Sequence, residues 1–335
     1  MKILKYNNGF TTESGYKFSE LEIAYDTWGT LNENADNVIW VCHALTANSD
    51  ITAWWPGMVG EGLAFDTSKY FTVCANILGS CYGTTGPLSV NPETGEPWFN
   101  DFPLITVRDL VMVHEIVRKH LGIKRIYLII GSSIGGYQAL EYSIMFPDMI
   151  KHLVFIASSA KQSPWAIAFN EAQRLAIEAD PTFFSRDPEG GKKGLRAARS
   201  IGMLSYRTPY AYNTTQAETD DEKISSFRAS SYQDYQGDKL VKRFNVWSYY
   251  RLTQLADSHN IGRGRGSVLK ALSGIKSETL CIGIRSDILY PVSEQKFVAE
   301  NVADGQYEEI DSFYGHDGFL IETKQVTDLL KKFCL

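Results

Sequence analysis

At 335 residues, 44% of them apolar, the chain is long enough to bury one large core without disulfide or metal staples. A formal net charge of −6 and the lack of any basic run set aside nucleic acid and anionic membranes as partners, leaving small molecules as the expectation. Five cysteines without a CxxC pair, no signal-peptide pattern in residues 1–15, and no run approaching the roughly 18 apolar residues of a membrane span together predict a soluble, cytoplasmic protein.

In chain order, Leu21, Ile23 and Tyr25 alternate with polar neighbours and predict a strand at a half-exposed sheet edge. Short apolar runs follow at 38–42 (VIWVC), 70–74 (YFTVC), 126–130 (IYLII), 153–156 (LVFI) and 279–284 (TLCIGI). They are rich in β-branched and aromatic residues and alternate with helical patterns, which predicts a largely parallel sheet. Cys42, Cys74 and Cys281 fall inside these runs and read as buried, inert thiols. Before the third run, Thr106 can cap a helix whose Leu110, Val113, Val117 and Leu121 share one face, with Gly122 ending it; this makes one βαβ crossover.

The alternation stops after Ser159 and resumes near Glu278. The stretch 161–275 has helix-like spacing, with a polar, loop-forming patch at 213–223. Structureless connections beyond about 15 residues are uncommon. The expected organisation is therefore a core domain of residues 1–160 and 276–335, with residues 161–275 inserted before the last core strands as a helical cap over the sheet's carboxyl edge.

Gly131-Ser132-Ser133-Ile134-Gly135 fits G-x-S-x-G, directly after the strand IYLII and before a helical pattern from Tyr137 to Tyr142. A nucleophile elbow needs that context, because the serine sits at a strained strand-to-helix turn that admits only small residues two positions to either side. The frame selects Ser133 and excludes Ser132, whose neighbour at −2 is Ile130. This predicts an α/β-hydrolase fold with helices on both faces of the sheet, in which the chain order is serine, carboxylate, histidine. Asp287 follows the strand TLCIGI, and His316 is the only histidine downstream of it, after the run 307–311 that reads as the last strand. Backbone N–H groups of Ile134 and Leu45 are the expected oxyanion donors. His43 beside them reads as a loop-shaping residue. No metal-ligand spacing such as HExxH occurs, so no metal is expected.

These residues and several longer blocks make the chain similar to the homoserine O-acetyltransferase family. The resemblance is carried by HALTANSD from His43, NILGSCYGTTGPLSVNPETG from Asn76, GSSIGGYQALEY from Gly131 and IAFNEAQRLAIEADP from Ile167. It continues through GLRAARSIGMLSYRT from Gly194, YQGDKLVKRFNVWSYYRLT from Tyr235, SDILYPVSEQ from Ser286 and GHDGFLIE from Gly315. It implies ping-pong transfer of an acetyl group from acetyl-CoA to L-homoserine in methionine biosynthesis, with no bound cofactor. Ser133 would be acylated, His316 would act as base and Asp287 would orient it. It also implies that Arg207 binds the amino acid's carboxylate and Asp317 its ammonium, and that the chain is a homodimer built through the cap. Arg207 could instead be an ion-pair residue and Asp317 a cap for the following turn; Arg174 is a second carboxylate candidate. Many relatives read GGSMGGMQ at the elbow, whereas Ser132, Ile134 and Tyr137 stand here. That leaves a succinyl donor or a serine acceptor as alternatives. A carboxylic-ester hydrolase would use the same triad with water, and a binding protein on an inactive hydrolase scaffold is the non-enzymatic alternative.

Overall fold

The computed structural model describes residues 1–335. Its main sheet contains β1 (Lys2–Tyr6), β2 (Leu21–Trp28), β3 (Val38–Cys42), β4 (Phe71–Ala75), β5 (Ile126–Ser132), β6 (Ile150–Ile156), β7 (Glu278–Ile284) and β8 (Gly305–Ile310). Their order across the sheet is β1-β2-β4-β3-β5-β6-β7-β8. From β4 to β8 all neighbours are parallel, while β1 and β2 join antiparallel at one side. Every residue of β3 and β4 is buried, which is why these strands read as unbroken apolar runs.

One expectation is corrected. The strand from Leu21 does not form the edge, because β1 pairs with it from Lys2 opposite Tyr25 to Tyr6 opposite Leu21. β1 is only five residues, KILKY, and its two lysines mask the strand pattern; lysines suit an edge, where they discourage pairing with another chain.

Helices α1 (Val107–His120) and α2 (Ile134–Met145) follow β4 and β5. Thr106 starts α1 as predicted: its N–H donates to Asp109 Oδ2 at 2.8 Å, and Gly122 ends the segment at φ +70°. The chain between β6 and β7 forms α3 (Pro164–Glu178), α4 (Lys192–Tyr206), α5 (Pro209–Thr215), α6 (Arg228–Val241) and α7 (Val246–Asp257). The polar patch expected at 213–223 begins inside the last turn of α5 and continues as turns. Helices α8 (Val292–Asn301) and α9 (Thr323–Phe333) flank β8.

The helical insertion leaves and rejoins the core at one neck. Gln162 N–H donates to His259 O at 2.9 Å, and Ile261 N–H donates to Ala160 O at 3.1 Å. Its helix α7 is embedded: Trp247 is buried and packs edge-on against Phe99 with ring centres 4.9 Å apart. The larger apolar cluster thus runs from the sheet through α1 and α2 into α7. A smaller cluster covers the opposite face with Ile51, Trp55, Phe319, Val326 and Leu330. Helices on both faces satisfy the predicted architecture. No helix is long and apolar enough to cross a membrane.

Candidate active site

Between β5 and α2 the chain turns on Ser133, whose backbone sits at φ 56°, ψ −128°. A non-glycine residue there carries strain of about 1–3 kcal/mol, so its surroundings must hold it. They do: Ser133 N–H donates to Ile156 O at 3.0 Å, and Ser158 Oγ–H donates to Ser133 O at 2.7 Å. The neighbours must be glycine. A Cβ on Gly131 would stand 2.0 Å from Gly135 O, and one on Gly135 would stand 2.1 Å from Cys42 O.

Since β3 and β5 are adjacent while β4 lies on the far side of β3, the loops leaving β3 and β5 flank a topological switch point at the sheet's carboxyl edge. Leu45, on the loop after β3, has a backbone N–H with no hydrogen-bond partner. Ile134 opens α2, so its N–H lies beyond the reach of the helix's own carbonyls. Both residues line the cavity described below. His43, fully buried, shapes this loop as expected: Nε2 accepts from Ile77 N–H at 3.2 Å, which leaves Nδ1–H to donate to Ala44 O at 2.9 Å. Burial pushes its pKa down to about 4, keeping it neutral.

Asp287 and His316 meet at the ends of β7 and β8. His316 Nδ1 lies 2.6 Å from Asp287 Oδ2, and the aspartate's other oxygen accepts from Leu289 N–H at 2.8 Å and Tyr290 N–H at 3.0 Å. Burial alone would lower the histidine's pKa; the charge of Asp287, its hydrogen bond and the nearby Asp317 outweigh it, leaving the pKa raised. Ser133 Oγ makes no hydrogen bond to His316, and the two residues share the wall of one cavity. In structures without substrate such a contact is commonly loose.

That cavity, of about 550 Å³, is floored by the core residues Ser133, Ile134 and His316 and roofed by residues of the insertion. Asp317 lines it; Arg207 does not. The Arg207 guanidinium is taken up by Asp317, Nε to Oδ2 at 3.1 Å, and by the face of Tyr314, 4.8 Å from the ring centre. Arg174 is likewise occupied, by Glu171 and Asp257 at 2.6 Å each, and lies off the cavity.

A cation of the same block that does line the cavity is Arg199 on α4, which sequence reasoning passed over. It has no ion-pair partner, its Nε is buried without a hydrogen bond, and its guanidinium sits 5.3 Å from the centre of the Tyr206 ring. The available signal was spacing: Arg199 precedes Tyr206 by two helical turns, so both side chains share one face. Gln162 and Tyr290 also line the cavity. Tyr137, the departure at the elbow, stands behind them with its hydroxyl 2.6 Å from Tyr290 Oη.

Residues 37–323 match the family model described as alpha/beta hydrolase fold. The chain is 49% identical to the homoserine O-acetyltransferase of Cyclobacterium marinum, with 100% of this chain and 95% of that protein aligned. It is 44% identical to the homoserine O-acetyltransferase of Carboxydothermus hydrogenoformans, covering 96% and 92% of the two chains. Among solved structures, homoserine O-acetyltransferase from Bacillus anthracis superposes with a TM-score of 0.93 at 25% identity, covering 99% and 97%. Esterase E22 shares the fold with a TM-score of 0.91 at 21% identity, covering 100% and 99%. The chain therefore belongs to the α/β-hydrolase fold family and, within it, to the homoserine O-acetyltransferases.

Proposed function

We propose that the protein transfers the acetyl group of acetyl-CoA to the side-chain hydroxyl of L-homoserine, a step of methionine biosynthesis, through an acetyl-Ser133 intermediate. The observation that carries this reading is the content of one cavity wall: Ser133 and His316 stand beside an unpaired guanidinium, Arg199, and a carboxylate, Asp317. A zwitterionic amino acid complements that pair, with its carboxylate on the guanidinium fork and its ammonium on the aspartate. Arg207 then acts by holding Asp317 in place, and Arg199 takes the carboxylate role first expected of Arg207.

In the first half-reaction His316 Nε2 accepts the Ser133 hydroxyl proton as Oγ attacks the thioester carbonyl. Leu45 and Ile134 N–H groups stabilise the oxyanion, a contribution of about 3 kcal/mol per donor. Collapse expels the CoA thiolate, which takes the proton from His316. In the second half-reaction His316 accepts the homoserine hydroxyl proton, the alkoxide attacks the acetyl-serine, and Ser133 leaves with the proton returned. Asp287 keeps the imidazole oriented throughout. No step calls for a cofactor.

The substrates are cytoplasmic metabolites, which assigns the reaction to the cytoplasm. Residues 161–275 act as a cap that screens the acyl-enzyme from water, and as the surface through which two copies pair. Trp165, Leu175, Phe184, Leu204 and Tyr210 of this segment are all more than half exposed. Exposed apolar side chains such as these are the kind that a pairing surface would bury. Sedimentation equilibrium at micromolar concentration should give twice the chain mass; a monomer would remove the dimer.

Ser133→Ala should lower CoA release from acetyl-CoA and L-homoserine by at least about 10⁴-fold. Near-normal turnover would end the proposal, and wild-type CoA release that needs no amino acid would make the protein a thioesterase. Running the same assay with succinyl-CoA and with L-serine settles donor and acceptor. Arg199→Ala should raise the homoserine KM by roughly 10- to 100-fold, the worth of a charged hydrogen bond. The burst of acyl-enzyme measured by quenched flow should persist; a lost burst, or a larger effect from Arg207→Ala, would overturn the assignment of Arg199.

The base must be neutral to accept a proton, and the environment of His316 raises its pKa. Single-turnover acylation by acetyl-CoA alone should therefore fall as pH drops through a value above the ordinary 6.5 of histidine. Asp317→Asn removes one of the charges that raise it, so the acid limb should move to lower pH; a limb that stays put or moves up contradicts this electrostatic account.

A further inference from the structure

Lys239 and Arg243 are exposed to solvent, yet both line the cavity whose floor carries Ser133, so they stand where that cavity meets the surface. Lys239 lies in the last turn of α6 and Arg243 in the turn just beyond its end, and both side chains reach the same cavity. The acids of α6 are spent elsewhere. Arg196 of α4 takes Asp234 at 2.8 Å and Asp238 at 2.7 Å. Lys239 makes no ion pair and no hydrogen bond. Arg243 donates only to neutral oxygens, the Thr46 carbonyl, Tyr82 Oη at 2.8 Å and Thr46 Oγ1 at 3.2 Å. Apart from Asp317, the cavity wall holds no carboxylate. A chain of net charge −6 therefore keeps two uncompensated cations at the mouth of its reaction cavity.

We propose that Lys239 and Arg243 form an anion subsite for the phosphates of the acyl-CoA donor, with the donor's pantetheine arm running down the cavity to Ser133. The assignment rests on the transferase reading given above. Phosphates take no part in bond making, so the subsite acts on donor capture: it lowers the KM for acetyl-CoA and, through the positive field of the two cations at the mouth, speeds encounter at low salt. Arg243 has a second task, since it ties the insertion to the loops carrying Thr46 and Tyr82. Lys239 has no contact to lose, and it carries the test.

The readout is the ratio of kcat/KM for acetyl-CoA to that for S-acetyl-N-acetylcysteamine, which presents the same thioester without phosphates. Lys239→Glu should lower this ratio about tenfold or more, as expected for a lost charged contact at a partly screened site, and should flatten the salt dependence of kcat/KM for acetyl-CoA. Arg243→Lys, which keeps the charge, should lower the ratio less than Arg243→Gln. An unchanged ratio in Lys239→Glu overturns the subsite while leaving the transferase reading intact. Calorimetric titration of Ser133→Ala protein with CoA and with pantetheine separates the two ideas further. Tighter binding of CoA that Lys239→Glu abolishes supports the subsite even if the wild-type protein fails to acetylate homoserine, a failure that would sink the transferase reading alone. Equal affinity for CoA and pantetheine overturns the subsite.

Discussion

The site depends on one close approach of backbones. Because positions 131 and 135 carry no Cβ, the first turn of α2 closes onto the end of β5 and onto the Cys42 carbonyl at the end of β3. Gly136 extends the constraint, since a Cβ there would sit 2.5 Å from Ser158 beyond the end of β6. The strained Ser133 is thus held by the ends of two neighbouring strands. The same approach brings the N-terminus of α2 against the loop that carries Leu45, so Ser133 and the backbone N–H groups of Ile134 and Leu45 are gathered by a single packing event. Gln138, one turn into α2, donates from Nε2 to His43 O at 3.1 Å and fastens the two pieces together. The buried, neutral His43 gives both ring nitrogens to this loop's backbone bonding, which leaves no lone pair for proton transfer.

On the other side of the serine the organising group is a buried carboxylate. Asp287 has no exposed side-chain surface, and leaving such a charge unsatisfied would cost several kcal/mol. Two backbone donors and the His316 imidazole meet its needs, and the same bonds place Tyr290, whose ring packs 5.2 Å from that of His316. Tyr290 in turn meets the Tyr137 hydroxyl, and Tyr137 stacks on His259 at 3.8 Å. His259 bonds the Ser159 carbonyl and stands at the neck of the insertion. The tyrosine at 137, where many relatives have methionine, therefore links the surroundings of His316 to the neck of the insertion.

What the sequence disclosed follows from how locally each feature is encoded. The elbow, Asp287 and His316 were legible because a strand, a tight turn and a fixed chain order constrain them within a few residues. The sheet's parallel part was legible because a strand buried on both faces must be apolar at every position. β1 was not, because a five-residue edge strand with two lysines buries too little to show a pattern. Arg199 and Arg207 sit eight residues apart in one block, and nothing local says which points inward. Arg199 lies inside α4, on the face of Tyr206 that looks into the cavity. Arg207 is the residue at which α4 ends, with extended backbone at φ −118°, and its side chain leaves in another direction, toward Asp317. Side-chain direction at a helix end depends on the turn that follows, and that turn was fixed by tertiary contacts with the segment around His316.

The fold by itself does not choose between water and an amino acid as acyl acceptor, since proteins described as esterases superpose on this chain nearly end to end. Bulk water always has the advantage of concentration. An acceptor overcomes it only if binding holds its hydroxyl at the acyl-serine, where effective molarities can reach about 10⁵–10⁸ M. Holding a small zwitterion in one orientation takes two charges of opposite sign at fixed separation, and each must be kept from collapsing onto the other. Here Asp317 is anchored by Arg207 from outside the cavity, and Arg199 lies against the Tyr206 ring with no carboxylate near enough to pair. Arg207 thus stands to Asp317 as Asp287 stands to His316: each contacts a cavity-lining side chain from a position off the cavity wall.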